Sequence, residues 1–471
     1  VPPINAGDTA WVLAASALVM LMTPGLALFY GGMTRAKSVL NMLMMCFSTI
    51  AVVSVLWVLY GYSLTFTTGG FIENVVGNFS AAGLVDEISQ ATADEGGIPV
   101  LLFAAFQLMF AIITAALITG AIADRAKFAG WLVFVVLWVT VVYFPVAHWV
   151  FNFGDSDVAG DGGWIADRLL ALDFAGGTAV HINAGAAALA LALVLGKRVG
   201  WPKDRFRPHN LPLVLLGAGL LWFGWFGFNA GSAVAANGMA GLTFLNTQVA
   251  TGAAVLGWIV VEWIRDGKPT TLGAASGAIA GLVAITPACS TVDPLGAAAV
   301  GVIAGVLCAL AVGLKYRFGY DDSLDVVGVH LVGGVVGSLL IGLFANGAVS
   351  GALGADVEPG VDGLFYGGGL EQLGRQAVAV VAVLAYSFVV SFILGWIVDK
   401  TVGFRVAREA EVDGIDAAEH AESAYDFSGL GGGLGSGAGA GAERPSVSSR
   451  PATESAATGE PAKVGAGGEQ A

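Results

Sequence analysis

Eleven stretches of this chain run for about twenty residues each with almost no charged side chain. They fall near 9–30, 38–62, 99–123, 129–151, 174–196, 211–237, 245–264, 273–290, 294–314, 324–346 and 373–399. At ~1.5 Å of rise per residue, each is long enough to cross ~30 Å of hydrocarbon as a helix. A soluble chain would have to bury all of that apolar surface in one core. With 56% of residues apolar and only 12% charged, against a usual charged share of ~25%, that is not feasible, and the uncharged runs are too long for an Ala/Gly-rich soluble helical array. The 69 glycines are spread through the apolar runs, as suits a helix bundle in lipid, where small residues let helices approach closely. Cys46, Cys289 and Cys308 are isolated within apolar runs and read as buried free thiols, not as a disulfide framework or metal cluster. The chain starts at Val1, with no Met, which a removed signal segment or a chosen chain end would produce.

The loops between the runs alternate in charge. One set holds Arg35, Lys37, Arg125, Lys127, Lys197, Arg198, Lys203, Arg205, Arg207, Arg265, Lys268, Lys315 and Arg317. The other holds only Arg168 and Arg375 as basic residues, alongside Glu73, Asp86, Glu87, Asp94, Glu95, Asp155, Asp157, Asp161, Asp356, Glu358 and Asp362. Basic loops face the cytoplasm, so an odd number of spans puts the N-terminus outside and the C-terminus inside a cell membrane. Three regions follow: a membrane domain over 1–400, a cytoplasmic segment over 401–426 that orders against the inner face, and a Gly/Ser/Ala-rich stretch over 427–471 expected to be disordered. The net charge of −14 comes from the acidic loops and the tail. It fits a high-salt habitat and equally fits chance in a chain with few charges.

Four segments carry a resemblance. Asp173-Phe174-Ala175-Gly176-Gly177-Thr178-Ala179-Val180-His181 is similar to the signature of the ammonium transporter (Amt/Rh) family. Thr23 to Gly32 resembles that family's first helix, Trp225 to Ser232 its sixth, and Asp321 to His330 the start of its tenth. The likeness covers roughly residues 7 to 426. It implies an all-α integral membrane fold of eleven transmembrane helices, an inverted repeat of helices 1–5 and 6–10, and a homotrimer with one pore per subunit. The substrate implied is ammonium, ammonia or methylammonium.

An inverted repeat places its functional groups in corresponding helices of the two halves, near the midplane. His181 stands in span five, ~12 Å from the outer edge, and His330 in span ten, ~10 Å from the inner edge, at ~1.5 Å per residue. Intramembrane ionisable residues are functional by default, and two imidazoles at matched depth strengthen that reading. His148, His209 and His420 read instead as packing or solvated residues. Asp173 and Asp325 each stand before a Gly-containing helix start, where a carboxylate accepts free backbone N–H groups. Structural capping is preferred for both over direct cation binding, with Asp173 adding negative charge at the outer entrance.

The resemblance implies an outer ammonium site at Phe106, Phe151 and Ser232, with Phe110 and Phe228 forming a gate below it. An aromatic face attracts an ammonium ion by ~1–2 kcal/mol when partly desolvated. Phe151 departs from the family pattern, which commonly has Trp there, so a weaker cation–π contact is expected.

A narrow apolar pore excludes potassium, which cannot shed its water without replacement ligands, and passes ammonium that has lost a proton. Neutral imidazoles can donate, accept and relay that proton. A passive gas pore of the Rh type is the first alternative, and the outer aromatic site and the Asp173–His181 motif favour the Amt branch over it. An ammonium sensor is the second, although the tail after Asp426 shows no pattern of a folded signalling domain. A membrane enzyme is the third, with no nucleophile constellation, zinc spacing or phosphate loop to support it. No cofactor, metal or nucleic-acid partner is expected. The family-like tail segments Gly403 to Val406, Glu411 to Gly414 and Ala424 to Asp426 imply docking of a cytoplasmic PII-type regulatory protein.

Overall fold

The structure, a computed structural model, describes residues 4–70, 72, 74–92, 97–154, 160–204, 206–352 and 360–425. The predicted tail from Phe427, and Glu73, Asp94, Glu95, Asp155, Asp157, Arg205, Asp356 and Glu358 of the loops, lie outside the described residues. Among the described residues the fold is all-helical. Ten helices are long and apolar enough to cross a membrane, so the chain is a multi-pass membrane protein. They are α1 (Ala6–Met33), α2 (Val39–Phe66), α3 (Val100–Ile122), α4 (Phe128–Phe151), α5 (Gly177–Leu195), α6 (Leu211–Gly231), α7 (Gly238–Asp266), α9 (Pro294–Phe318), α10 (Val327–Phe344) and α11 (Glu371–Thr401). The eleventh predicted span, 273–290, contains the shorter helix α8 (Thr271–Ile285) of 15 residues. At ~1.5 Å per residue it covers ~22 Å, less than a full hydrocarbon layer.

Boundaries moved where polar side chains act on the backbone. The predicted run 211–237 ends at Gly231, and Val234 takes a left-handed φ of 53°. Helix α7 then begins at Gly238, seven residues before its predicted start, with the Asn237 side chain accepting from Ala240 N–H at 3.1 Å. Thr243, which dilutes the apolar signal there, returns its hydroxyl to the Ala240 carbonyl within the helix, and Thr247 does the same to the Thr243 carbonyl. Helices α1 and α6 cross along a glycine seam. A Cβ on Gly217 would lie 2.3 Å from Phe29 N, and one on Gly224 would lie 2.4 Å from Met22 Cγ, so only glycine admits that approach.

At one end of the bundle, residues 401–425 lie against the loops. Lys127 N–H donates to Phe404 O at 2.9 Å and Val406 N–H to Arg125 O at 3.1 Å, while Phe404 is fully buried. Two short helices follow, α12 (Arg408–Asp413) and α13 (Ile415–His420). Asp416 accepts the N–H groups of Leu40 and Asn41 at 3.0 and 2.8 Å, and Glu419 accepts that of Phe128 at 3.0 Å. The segment thereby supplies carboxylates to the N-termini of α2 and α4, which lack capping side chains of their own.

Two of the basic loop residues do more than mark topology, being buried in polar networks. Arg198 is buried and pairs with Asp321 at 2.9 Å and Asp124 at 3.2 Å. Arg125, also buried, donates to Asp321 O at 2.6 Å and Ser323 Oγ at 2.5 Å. Burial works against the Asp321 carboxylate, and the Arg198 guanidinium outweighs it, holding the carboxyl below its usual value.

Candidate functional site

The site is built around two helix starts. The approach to α5 turns at Gly176, whose φ of 115° a side chain rarely adopts. There the Asp173 carboxylate accepts the N–H groups of Gly176, Gly177, Thr178 and Ala179 at 2.8, 2.6, 2.7 and 3.3 Å, and the Thr178 hydroxyl as well. The cap expected of Asp173 is present in full. It supports a π-type first turn, Gly177–Ile182, that carries His181. Helix α10 opens in the same way, with a π-type turn Val327–Leu331 that carries His330. Such turns recur at functional sites.

At α10 the expected cap is corrected. Asp322, not Asp325, accepts the Val326 and Val327 N–H groups, at 3.1 and 2.8 Å. Asp325 sits at φ 65°, outside the helix, and its carboxylate pairs with Lys315 Nζ at 2.7 Å. That left-handed residue turns the chain, so the acid three positions earlier is the one that reaches the free amides.

The two imidazoles meet. His181 and His330 are 1% and 3% exposed, their rings lie 5.4 Å apart at 24°, and Nδ1 is 3.3 Å from Nδ1. Trp225 of α6 stacks on His181 at 5.4 Å and 23°, its indole N–H donating to Thr286 Oγ1 at 2.8 Å. Around the pair lies a narrow cavity walled by Ile113, Leu117, Val180, Leu221, Trp225 and Phe228 among others. A second cavity continues from His330 past Tyr30 and Ser276 to Asp325.

In the other direction the path meets aromatic rings. Phe110 and Phe228 stack with centroids 4.2 Å apart, and Phe228 lies 6.2 Å from His181. Phe106 packs edge-on to Phe110 at 5.0 Å, and Phe151 does so at 6.4 Å. Ser232 follows Gly231, where a Cβ would lie 3.0 Å from the Phe106 ring, and its hydroxyl donates to Phe228 O at 2.8 Å. Every residue expected at the gate or the aromatic site is therefore within one cluster above His181. The other histidines lie elsewhere. His148 is buried against Thr65 O at 2.9 Å, His209 bridges Thr34 O and Tyr425 Oη, and His420 meets Asn41 Oδ1 at 3.0 Å. Among the described residues no group of three or more His, Cys, Asp or Glu side chains could hold a metal ion.

Residues 10–425 match the model of the Ammonium Transporter Family. An ammonium transporter of Mycobacterium tuberculosis is 60% identical over 448 residues, covering 91% of this chain and 92% of that protein. The chain belongs to the ammonium transporter family. A Bacillus subtilis ammonium transporter is 47% identical over 423 residues, covering 90% of this chain and 99% of that one. Among solved structures, Saccharomyces cerevisiae Mep2 superposes with a TM-score of 0.76 at 35% identity, covering 86% of this chain and 91% of that one. A sensor Amt protein superposes at 0.78 with 29% identity, covering 88% and 98%. The family is one of transporters, not enzymes, and the function of this ammonium transporter is carriage of ammonium across a membrane.

Two residues of the candidate site escaped the sequence reading. Trp225 stands three positions before Phe228 on α6, and that spacing puts both on one helix face, so its stacking on His181 had a readable signal. Asp322 gave none that separated it from Asp321 and Asp325 beside it, because the choice among three acids rests on the backbone turn.

Proposed function

We propose that this ammonium transporter recruits ammonium at Phe106, Phe151 and Ser232, strips its proton, and passes ammonia between Phe110 and Phe228 into a pore lined by His181 and His330. The observation that carries the proposal is the buried imidazole pair, Nδ1 to Nδ1 at 3.3 Å, inside an otherwise apolar cavity. An ion crossing such a cavity loses its hydration without replacement ligands. Ammonium escapes that penalty by crossing as ammonia while its proton passes separately along the neutral imidazoles, which supply the acceptor that takes it and the donor that releases it. The aromatic cluster beyond Phe228 supplies quadrupole faces for a cation at the mouth. Asp173 shapes the outer end and Asp325 the inner end of the path.

The proposed frame is eleven transmembrane helices with α8 as the eighth, an inverted repeat of α1–α5 and α6–α10, and a homotrimer in the cell membrane. The N-terminus lies outside and the C-terminus in the cytoplasm, as the basic loops imply. Residues 1–400 form the membrane domain, 401–426 the regulatory segment that docks a PII-type protein, and 427–471 the tail. The matched, capped starts of α5 and α10 support the repeat. His181→Ala and His330→Ala, reconstituted in liposomes, are expected to fold and to lose conduction or change selectivity, and an ammonium step that evokes current separates this reading from a passive gas pore. Wild-type methylammonium uptake and potassium exclusion in both variants would remove the histidines from the pore.

A further inference from the structure

Helix α11 packs across α5 and α10 on the periphery of the bundle, and its face toward them carries two glutamines, Gln372 and Gln376, 2% and 0% exposed. Amides within a membrane-spanning helix are costly unless they are satisfied. Gln376 is satisfied by the backbone of one residue and its neighbour helix. Its Oε1 accepts Leu172 N–H at 2.7 Å, and its Nε2 donates to Leu172 O at 2.7 Å and to Ser338 O at 3.1 Å. Gln372, one turn earlier, donates to Gln376 Oε1 at 3.0 Å and to Leu170 O at 3.4 Å.

What these bonds hold is specific. Leu172 immediately precedes Asp173, the cap of the turn that carries His181. Leu170 sits at φ 57°, left-handed for a bulky residue, a conformation that persists only where its surroundings over-determine it. Ser338 lies one helical turn beyond Gly334 on α10. A Cβ on Gly334 would lie 2.9 Å from Gly177 O and 3.2 Å from His181 Cβ, so this is where α10 meets the start of α5. His330 is one turn before Gly334.

We infer that Gln376 is a positioning residue for the pore: it bolts the approach of α5 to α10 and so fixes the separation of His181 and His330. The inference rests on the proposed role of that pair. Gln376→Met keeps the volume and removes all three bonds to Leu172 and Ser338. In the full chain, backbone amides of 168–182 exchange about tenfold faster in this variant. Methylammonium transport in liposomes falls about tenfold in maximal rate, as a misplaced reacting group predicts. The half-saturation stays at its wild-type value, because the recruiting rings sit on α3 and α4. Gln376→Glu retains the Leu172 N–H bond and loses the donated ones, and it shows an intermediate loss of rate. If the Met variant does not assemble, the Glu variant gives the same two readouts. Unchanged exchange in 168–182 overturns the clamp whatever the histidine variants do. Faster exchange with a wild-type rate overturns the positioning role. Wild-type transport by His181→Ala in the same liposomes overturns the pore reading instead, and the exchange data are untouched by that result.

Discussion

Asp173 can act as a cap or as a cation ligand, and two substitutions separate these roles. Its Oδ1 serves Gly176 and Gly177, and its Oδ2 serves Thr178 and Ala179. Asp173→Ala strands all four buried amides, at about 1 kcal/mol each at the low end, for a loss of about 4 kcal/mol. Asp173→Asn keeps the Oδ1 bonds but turns an NH2 toward the other two amides, for about 2 kcal/mol. For a chain of this size, roughly 2 °C per kcal/mol is the upper range. The melting midpoint in detergent should therefore fall by up to ~8 °C for Ala and ~4 °C for Asn. Methylammonium uptake should rank in the same order, with Asn retaining more than Ala. Both substitutions remove the charge equally, so a ligand role predicts equal losses. Wild-type melting in both variants, with transport lost to the same extent, would refute the cap as the reason Asp173 matters.

Phe151→Trp should lower the half-saturation for methylammonium, because Trp is the better cation–π partner, and an unchanged or higher value in an uptake assay removes Phe151 from the recruiting site. Truncation at Phe427 should leave transport and association with a cognate PII protein intact, whereas truncation at Lys400 should weaken association in a pull-down, and equal binding by both would deny the segment a docking role. Asp321 is held below its usual value by Arg198, so the unfolded chain binds the proton more tightly; the pair's stabilisation is complete above the unfolded value of ~3.9 and is lost as pH falls below it toward the folded value. Melting midpoints measured between pH 7 and 3 should fall less steeply in Asp321→Asn than in the wild type, and parallel curves would deny the pair that contribution.

The apolar runs made the helices legible, because in lipid a span must be both long and uncharged. The run holding α8 was legible as apolar, but its helix stops at Ile285, and hydropathy alone does not register such a stop. The late start predicted for α7 has a related cause: Thr243 looks like a loop residue to a hydropathy count, while its hydroxyl returns to the helix's own Ala240 carbonyl. At the candidate site, His181 and His330 were readable from motif and depth, whereas the four phenylalanines were singled out only by the family resemblance. Asp325 was misassigned as a cap since three acids lie within five residues, and which one faces the amides depends on a φ the sequence does not print. Gln372, just before the run 373–399, and Gln376 within it carry no pattern that marks them, although buried amides are the ones that must find partners.

The contact between the two Nδ1 atoms is symmetric in position and cannot be symmetric in hydrogen. With both rings neutral, one Nδ1 carries the shared proton and the other accepts it, so the two outward-facing Nε2 atoms are necessarily unlike, one bare and one protonated. The pair therefore has a polarity, like a one-way turnstile that has been left pointing one way. A proton taken up at the bare end and released at the far end shifts every hydrogen by one place and leaves the polarity reversed. The next proton in the same sense finds no acceptor until the rings or their hydrogens are reset. If the pair relays a proton in each transport cycle, every cycle includes that reset, a step in which nothing crosses the membrane.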